Sequence, residues 1–600
     1  MLWWLVAVPL FTGALLAVAG RRADRIAPVA GAIVAAVTLA FAIGAAIGRP
    51  AVDAPLVAGI RAGLAVDGLS ALMVVTVAGA TLAVLAYAAG EAELRTARFV
   101  GFMLLFAGAM LVTVTATTLA VLLMAWEVMG AMSWALIAYH WRDPESVEAG
   151  HTAFLTTRLA DVGLYVAAGA ALAGGVGSLA LAELPTANGP WLHVVAAGLV
   201  VAALGKSAQL PLSFWLSQAM RGPSPVSALL HSATMVAAGA YLLLRLDPLL
   251  AATGWAAPVV AWVGAATALL LGLVAVAQTD LKQLLAASTC AQIGFMVLAA
   301  GAGGVTGGAL QLVTHAATKS LLFLAAGAWL VLLGTKQLGE LRGAARRYPM
   351  VGVTFTLGAA SLAGLPPLSL WVTKDMVLAA ALEQSAALYA VGLAAAVVSA
   401  IYSAKAVWWV WRPEAPSPSD ERRVRRIGTD ERAVRRNGAV PLGVLALLAA
   451  LLGIPLLASA PALWELALSG VLAIAAAAVT WRLADRIGAP PLLASWLGVE
   501  RMAHVVVVRP VLALARALAR FDDRVLDRGV TAAARGTVGL ARALDRRGEG
   551  AVDGAVRAIA DGARALGRLA RRPQTGQVHQ YYAQAAAALA VLALVVIVVR

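Results

Sequence analysis

Apolar runs of about 20 residues recur along most of this 600-residue chain, each long enough to cross a hydrocarbon core about 30 Å thick. In such a core every backbone amide must be satisfied within its own segment, so the runs are expected to fold as helices and pack as a bundle. Only 13% of the residues are charged and 61% are hydrophobic, which excludes a soluble globular domain. The chain reads as an all-α polytopic membrane protein. Met1 to Gly20 has no basic residue ahead of its apolar stretch and is followed by Arg21, Arg22 and Arg25. That is the reverse of a secretory signal, so this stretch is read as a first, retained span.

Hydropathy places about 16 spans, near 1–19, 27–47, 64–89, 98–116, 119–139, 152–175, 191–217, 226–246, 253–277, 281–301, 307–333, 349–381, 386–411, 439–459, 462–483 and 579–599. Connections after odd-numbered spans carry twenty of the Lys and Arg residues, eight of them arginines between Arg412 and Arg436, against three (Arg49, Arg61, Arg245) after even-numbered spans. This positive-inside bias puts the odd connections in the cytoplasm and both termini outside. It also accounts for most of the net charge of +15, which in a soluble chain would have suggested nucleic acid. The single cysteine, Cys290, excludes an internal disulfide, an iron-sulfur cluster and a cysteine-rich zinc site. Neither a Walker motif nor a GxGxxG motif occurs.

Residues 497–572 differ in kind. Arginines at 509, 516, 520, 524, 528, 535, 542, 546, 557, 564 and 568 are separated by 4, 7 or 11 residues, which makes one helical stripe basic. The segment is expected to be one amphipathic helix about 110 Å long, with no stretch able to span, kinked near its start by Pro510. It either rests on lipid headgroups or acts as a strut along neighbouring subunits.

The ionisable residues inside the apolar spans are the candidate chemistry. Four of the six lysines, Lys206, Lys319, Lys374 and Lys405, lie in spans, whereas Arg158 alone among forty arginines lies deep in one. Lysine is the base that can lose its proton when buried, so the choice points to protonation chemistry. Lys405, near the end of its span, is expected to snorkel to the interface. Glu127, in mid-span, is either a structural ion pair to a lysine or, with Lys206, a switch. Arg158 and Asp161, three apart on one helix face, are read first as a local pair. His231 and His315 are either satisfied core residues or proton relays in the company of these lysines, and neither has neighbours at metal-ligand spacing. Lys374 and Asp375 are adjacent and need not pair. Pro211-Leu-Ser-Phe-Trp215 recurs as Pro367-Leu-Ser-Leu-Trp371, and His231-Ser-Ala-Thr234 as His315-Ala-Ala-Thr318. Helix breaks at Pro211, Pro366 and Pro367, in corresponding places of two halves, point to sites near the midplane.

Gly205-Lys-Ser-Ala-Gln-Leu-Pro211, Gly222-Pro-Ser-Pro-Val-Ser-Ala228 and His231-Ser-Ala-Thr-Met235 together resemble the signature of the antiporter-like subunits of respiratory complex I. Trp126-Glu127, Arg158 to Asp161, Gln278-Thr-Asp-Leu-Lys282, Gln292-Ile-Gly294, Thr314-His-Ala316 with Lys319, and Ala363-Gly-Leu-Pro366 with Lys374-Asp375 follow in that family's order. The match covers most of residues 60–411, and the tail with Gln574-Thr-Gly-Gln577 and a last span resembles the distal member of the set.

The resemblance implies two inverted five-helix repeats, at 98–247 and 248–411. They are preceded by helices in 1–97 and followed by a basic cytoplasmic loop at 412–438, further spans in 439–496, the lateral helix at 497–572 and a last span in 573–600. It further implies Glu127 and Lys206 as a coupled pair, His231, His315 and Lys319 as a central relay, and Lys374 with Asp375 as a distal site. Gln311 stands where the family often has a histidine; it can orient water but cannot titrate. The implied function is proton translocation in a bacterial plasma-membrane NADH:quinone oxidoreductase, with the lateral helix on the cytoplasmic side. No cofactor is expected in this chain; NADH, FMN, iron-sulfur clusters and quinone belong to partner subunits. The expected partners are other membrane subunits, above all adjacent antiporter-like ones, and the lipid bilayer, with no nucleic acid. The alternatives are the large subunit of a multi-subunit cation/proton antiporter and a structural clamp with a silent channel.

Overall fold

The computed structural model describes residues 1–57, 59–413, 438–545, 553–572 and 576–599. The arginine-rich loop expected at 412–438 falls almost wholly outside the described residues, as do Gln574 and Thr575 of the tail motif. Two compact units are present, Met1–Met502 and Ala503–Arg600.

The first unit is a helical bundle. In chain order its elements are α1 (Leu2–Ala19), α2 (Ala27–Gly48), the strands β1 (Ala51–Val57) and β2 (Ile60–Ala65), α3 (Gly68–Ala88), α4 (Ala97–Thr115), α5 (Leu119–Ile137), α6 (Pro144–Ala173), α7 (Pro190–Lys206), α8 (Phe214–Ala219), α9 (Ser224–Leu230) and α10 (Met235–Arg245). The short α11 (Asp247–Thr253) leads into α12 (Ala256–Ala277), α13 (Leu281–Gly301), α14 (Val305–Leu333), the short α15 (Ala344–Arg347), α16 (Pro349–Ala363), α17 (Ser369–Gln384), α18 (Ala386–Trp411), α19 (Ala439–Leu451) and α20 (Leu463–Leu483). The apolar windows of α9–α10 and of α13 are wholly buried and form the centre. The outer helices turn large side chains such as Phe11, Val18 and Ile33 outward, as lipid-facing surfaces do.

Among the described residues fourteen helices are long and apolar enough to cross a membrane. The expected spans 152–175, 191–217 and 349–381 are not among them. The first is α6, which carries Arg158 and Asp161 in mid-helix, and the other two are interrupted, at 207–213 and 364–368. Both interruptions hold the expected prolines, because a ring without an N–H removes a helical hydrogen bond and clashes with the preceding turn. A third interruption was not foreseen. His231 to Thr234 separates α9 from α10, whereas the echoing His315 to Thr318 lies inside the continuous α14.

Three further expectations are corrected. A two-stranded antiparallel hairpin, β1–β2, fastened by an Arg61–Asp53 ion pair, occupies the connection before α3, so that span begins at Gly68, where Asp67 and Ser70 cap each other's backbone. One window in Trp496–Leu544 meets the length and hydropathy of a membrane span, contrary to the reading of 497–572 as unable to cross. Lys405 does not snorkel. It is 3% exposed, and its Nζ donates to the carbonyls of Val276 (2.5 Å) and Gln278 (3.0 Å). These are carbonyls at the C-terminal end of α12, where helical partners run out and a cation is favoured.

Lys405→Met keeps the stem and strands two carbonyls. It is expected to remove about 2 kcal/mol, the scale of a hydrogen bond to a charged group, read as a lower apparent Tm in detergent with helix content unchanged.

Helices pair closely through glycines. A Cβ on Gly163 of α6 would lie 2.3 Å from the carbonyl oxygen of Gly198 on α7, and one on Gly264 of α12 would lie 2.6 Å from that of Gly294 on α13. Small residues at such crossings let backbones approach where lipid offers no hydrophobic drive between helices.

The second unit contains the helical segments Arg509–Phe521, Asp527–Asp545 and Asp553–Arg571, then the apolar helix Val578–Val598. Pro510 sits in the first turn of Arg509–Phe521, directly after a wider π-type turn at His504–Val508.

Candidate functional site

The site begins on α5 and α6. Trp126 and Glu127 are neighbours on α5, so their side chains leave the helix about 100° apart. The Trp126 indole turns inward and donates to one carboxylate oxygen of Asp161 (2.7 Å); the other oxygen accepts from Lys206 Nζ at 2.9 Å. Lys206 is fully buried, with its Nζ 5.2 Å from the Trp126 ring centre. Glu127 turns the other way. It pairs with Arg158 and accepts from the Tyr165 hydroxyl at 2.8 Å, on a face where the Arg158 and Glu127 side chains remain 33% and 26% exposed.

Two expected pairings are therefore corrected. Lys206 pairs with Asp161 and not with Glu127, and Arg158 and Asp161 do not pair with each other. Arg158 and Asp161 lie about 60° apart around α6, enough for each to meet a different helix.

The central residues follow. His231 lies in the α9–α10 interruption with its ring centre 6.1 Å from that of Trp215. His315 is on α14, and both histidines bury both ring nitrogens without a protein hydrogen-bond partner. Lys319, one turn beyond His315, donates to the Leu285 carbonyl (2.9 Å) and to the Ser288 hydroxyl, both on α13. His315 is within electrostatic reach of both Lys319 and Lys374.

The distal residues sit after the α16–α17 interruption. Lys374 donates to the Leu362 carbonyl (2.8 Å) and to Ser399 Oγ (2.6 Å). Asp375 instead accepts from Ser469 Oγ (2.5 Å) on α20. Sequence neighbours thus face different helices, as helical geometry requires. Gln311 donates to Gln292 Oε1 (3.1 Å) and accepts from Thr373.

Several polar residues escaped the sequence reading. Lys282, given no site role there although it ends the Gln278-Thr-Asp-Leu-Lys282 motif, is 3% exposed and donates to the Gly222 carbonyl (2.8 Å), within electrostatic reach of His231. Glu91, in the turn after α3, buries one carboxylate oxygen without a hydrogen-bond partner. Burial pushes its carboxyl up to about 7, with Lys282 opposing and Glu93 adding to the rise. Glu465 on α20 likewise buries an oxygen near Asp375. Glu91 and Glu465 stand at the edges of apolar runs, where hydropathy cannot separate a buried carboxylate from a loop residue. Among the described residues no group of three or more His, Cys, Asp or Glu is arranged to hold a metal ion.

Residues 116–401, which hold every group from Glu127 to Ser399, match the family described as NADH:quinone oxidoreductase/Mrp antiporter, TM. NADH-quinone oxidoreductase subunit L of Mycobacterium tuberculosis is 36% identical over 413 residues, 63% of this chain and 64% of that protein. The chain spans between 48% and 64% of the length of the curated relatives it matches. A chain of the Mrp complex from Dietzia sp. DQ12-45-1b superposes with a TM-score of 0.67 at 27% identity, covering 100% of this chain and 63% of that chain. A chain of respiratory complex I from Thermus thermophilus with bound NADH gives 0.66 at 25% identity, covering 79% of this chain and 99% of that chain. With its helical bundle, its interrupted helices and its buried lysines, this multi-pass membrane chain is similar to the membrane subunits of the NADH:quinone oxidoreductase/Mrp antiporter family.

Proposed function

We propose that this chain is the subunit-L-type member of a bacterial proton-pumping NADH:quinone oxidoreductase, moving protons while partner subunits carry electrons through NADH, FMN, iron-sulfur clusters and quinone. One observation carries the reading. Lys206, Lys319 and Lys374 are all buried, and of these three only Lys206 has a carboxylate within ion-pair distance among the described residues. A permanent charge held by carbonyls and hydroxyls alone is costly, whereas a group that takes and sheds a proton meets that cost only in part of its cycle. In this reading Lys206 with Asp161 loads the proton, His231, His315 and Lys319 pass it inward, and Lys374 with Asp375 ejects it. Glu127 acts on Lys206 indirectly, by competing with Asp161 for Arg158.

The Glu127–Arg158–Tyr165 cluster lies in mid-span among the exposed apolar residues Met124, Val128, Leu155 and Val162. A charged pair is expensive against lipid, so this is the face where a neighbouring antiporter-like subunit sits. The chain lies in the plasma membrane with both termini outside, and residues 497–572 lie on the cytoplasmic side.

A cation/proton antiporter subunit is the second reading, favoured by the Mrp chain matching the whole of this one. A tagged chain purified from membranes at low salt tests the choice. Co-purifying flavin and iron-sulfur absorbance with NADH-oxidising activity is the expected result, and a membrane assembly lacking them selects the antiporter. A structural clamp with a silent channel predicts that Lys206→Ala leaves proton uptake unchanged.

A further inference from the structure

The helix break before the distal site is covered by α19 and α20. Ser369, at the head of α17, donates its hydroxyl to the Ala449 carbonyl on α19 (2.6 Å). A Cβ on Gly470 of α20 would lie 2.9 Å from Pro366 Cγ and 3.4 Å from Trp371 Nε1, so α20 packs against the break without room for a side chain. Beside that contact Trp371 Nε1 donates to Ser469 Oγ (3.2 Å) and to the Leu466 carbonyl (3.2 Å), and Ser469 Oγ donates to Asp375 Oδ2 (2.5 Å). Asp375 is 2% exposed and Ser469 9%. Ser469 and Gly470 fall beyond residues 116–401, the part of the chain that matches the family.

A serine hydroxyl has one proton and two lone pairs. Trp371 occupies one lone pair, and the proton has two acceptors in reach, Asp375 Oδ2 and, one turn back on its own helix, the Leu466 carbonyl (3.3 Å). With Asp375 ionised, the proton goes to the carboxylate. With Asp375 protonated, its own O–H donates to the second lone pair of Ser469, whose proton turns back to Leu466. Both protonation states then keep their partners, which a buried acid needs if it is to take up and release a proton without stranding a polar group. The same contacts hold Asp375 toward α20, whereas Lys374 donates to Leu362 and Ser399.

We propose that Ser469, oriented by Trp371, is a positioning residue for proton transfer at Asp375, its hydroxyl turning between Asp375 and the Leu466 carbonyl as the acid loses and regains its proton. The inference rests on the reading of the chain as a proton-translocating subunit. The titratable groups within electrostatic reach of Asp375 are Lys374 on its own helix, Tyr389 on α18 and Glu465 on α20.

The test uses the intact complex in vesicles, with assembly followed by native gel and uncoupled NADH oxidation as the reference. Ser469→Ala should assemble and oxidise NADH normally, lose about tenfold in proton translocation and change the pH dependence of what remains. Ser469→Thr, which keeps a hydroxyl, should pump near normally with the parent's pH dependence. Should Ser469→Ala not assemble, Trp371→Phe, which keeps an aromatic ring and removes the N–H, decides in its place by the same two readouts. Normal pumping by Ser469→Ala, or a loss that keeps the parent's pH dependence, beside a dead Asp375→Asn overturns the proposal and leaves the functional reading standing, as does Ser469→Thr proving no better than Ser469→Ala. Normal pumping by Asp375→Asn removes both.

Discussion

Lys206→Arg is expected to assemble normally and to lose proton translocation by about 100-fold or more, as Lys206→Ala does. The argument turns on what an ion pair needs and what a carrier needs. Lys206 meets Asp161 at 2.9 Å in a fully buried site whose other carboxylate oxygen is held by Trp126. If the pair were only structural, arginine would serve it at least as well, since guanidinium binds carboxylate in a planar, two-pronged fashion. A carrier must also give its proton up in each cycle. Arginine, with a pKa above about 12, stays charged under any perturbation the site can apply. Five units of mismatch correspond to about 7 kcal/mol of added work per proton. Translocation in reconstituted vesicles, with assembly checked by native gel, reads the difference. An arginine variant that pumps leaves a static ion pair and ends the relay.

The second large effect concerns Asp161, the partner that helix packing supplies. Asp161→Asn removes the carboxylate from a buried pair and leaves the lysine with a neutral amide, a change of several kcal/mol in such surroundings. Translocation should fall at least about tenfold. Because Asp161 and Lys206 act through one contact, the double variant Asp161→Asn/Lys206→Ala should be no worse than Lys206→Ala alone. Glu127→Gln, by contrast, frees Arg158 to compete for Asp161 and should lower translocation less than Asp161→Asn does. Losses that multiply for Asp161 and Lys206 would show that the two residues act apart.

Much of the site was legible in the chain because membrane insertion is read from short windows. A run of apolar side chains about 20 residues long demands a helix whatever surrounds it, and a proline in that run interrupts it at a known residue, as at Pro211 and Pro367. The same logic singled out Lys206, Lys319 and Lys374, since a lysine in an apolar run is anomalous before any partner is known. The failures share one cause. Depth along a helix is written in the sequence, but rotation about its axis is fixed only by what packs against it. Trp126 and Glu127 are equally deep, yet packing turned the first toward Lys206 and the second away from it. Lys405 stands near a span end, yet neighbouring α12 presented carbonyls closer than water. The sequence by itself determined most of the apolar segments, the breaks at Pro211 and Pro367 and the lysines that bring charge inside. Only the tertiary structure decided which charge meets which, because a polar side chain in a medium without water takes whatever partner the neighbouring helix surface offers.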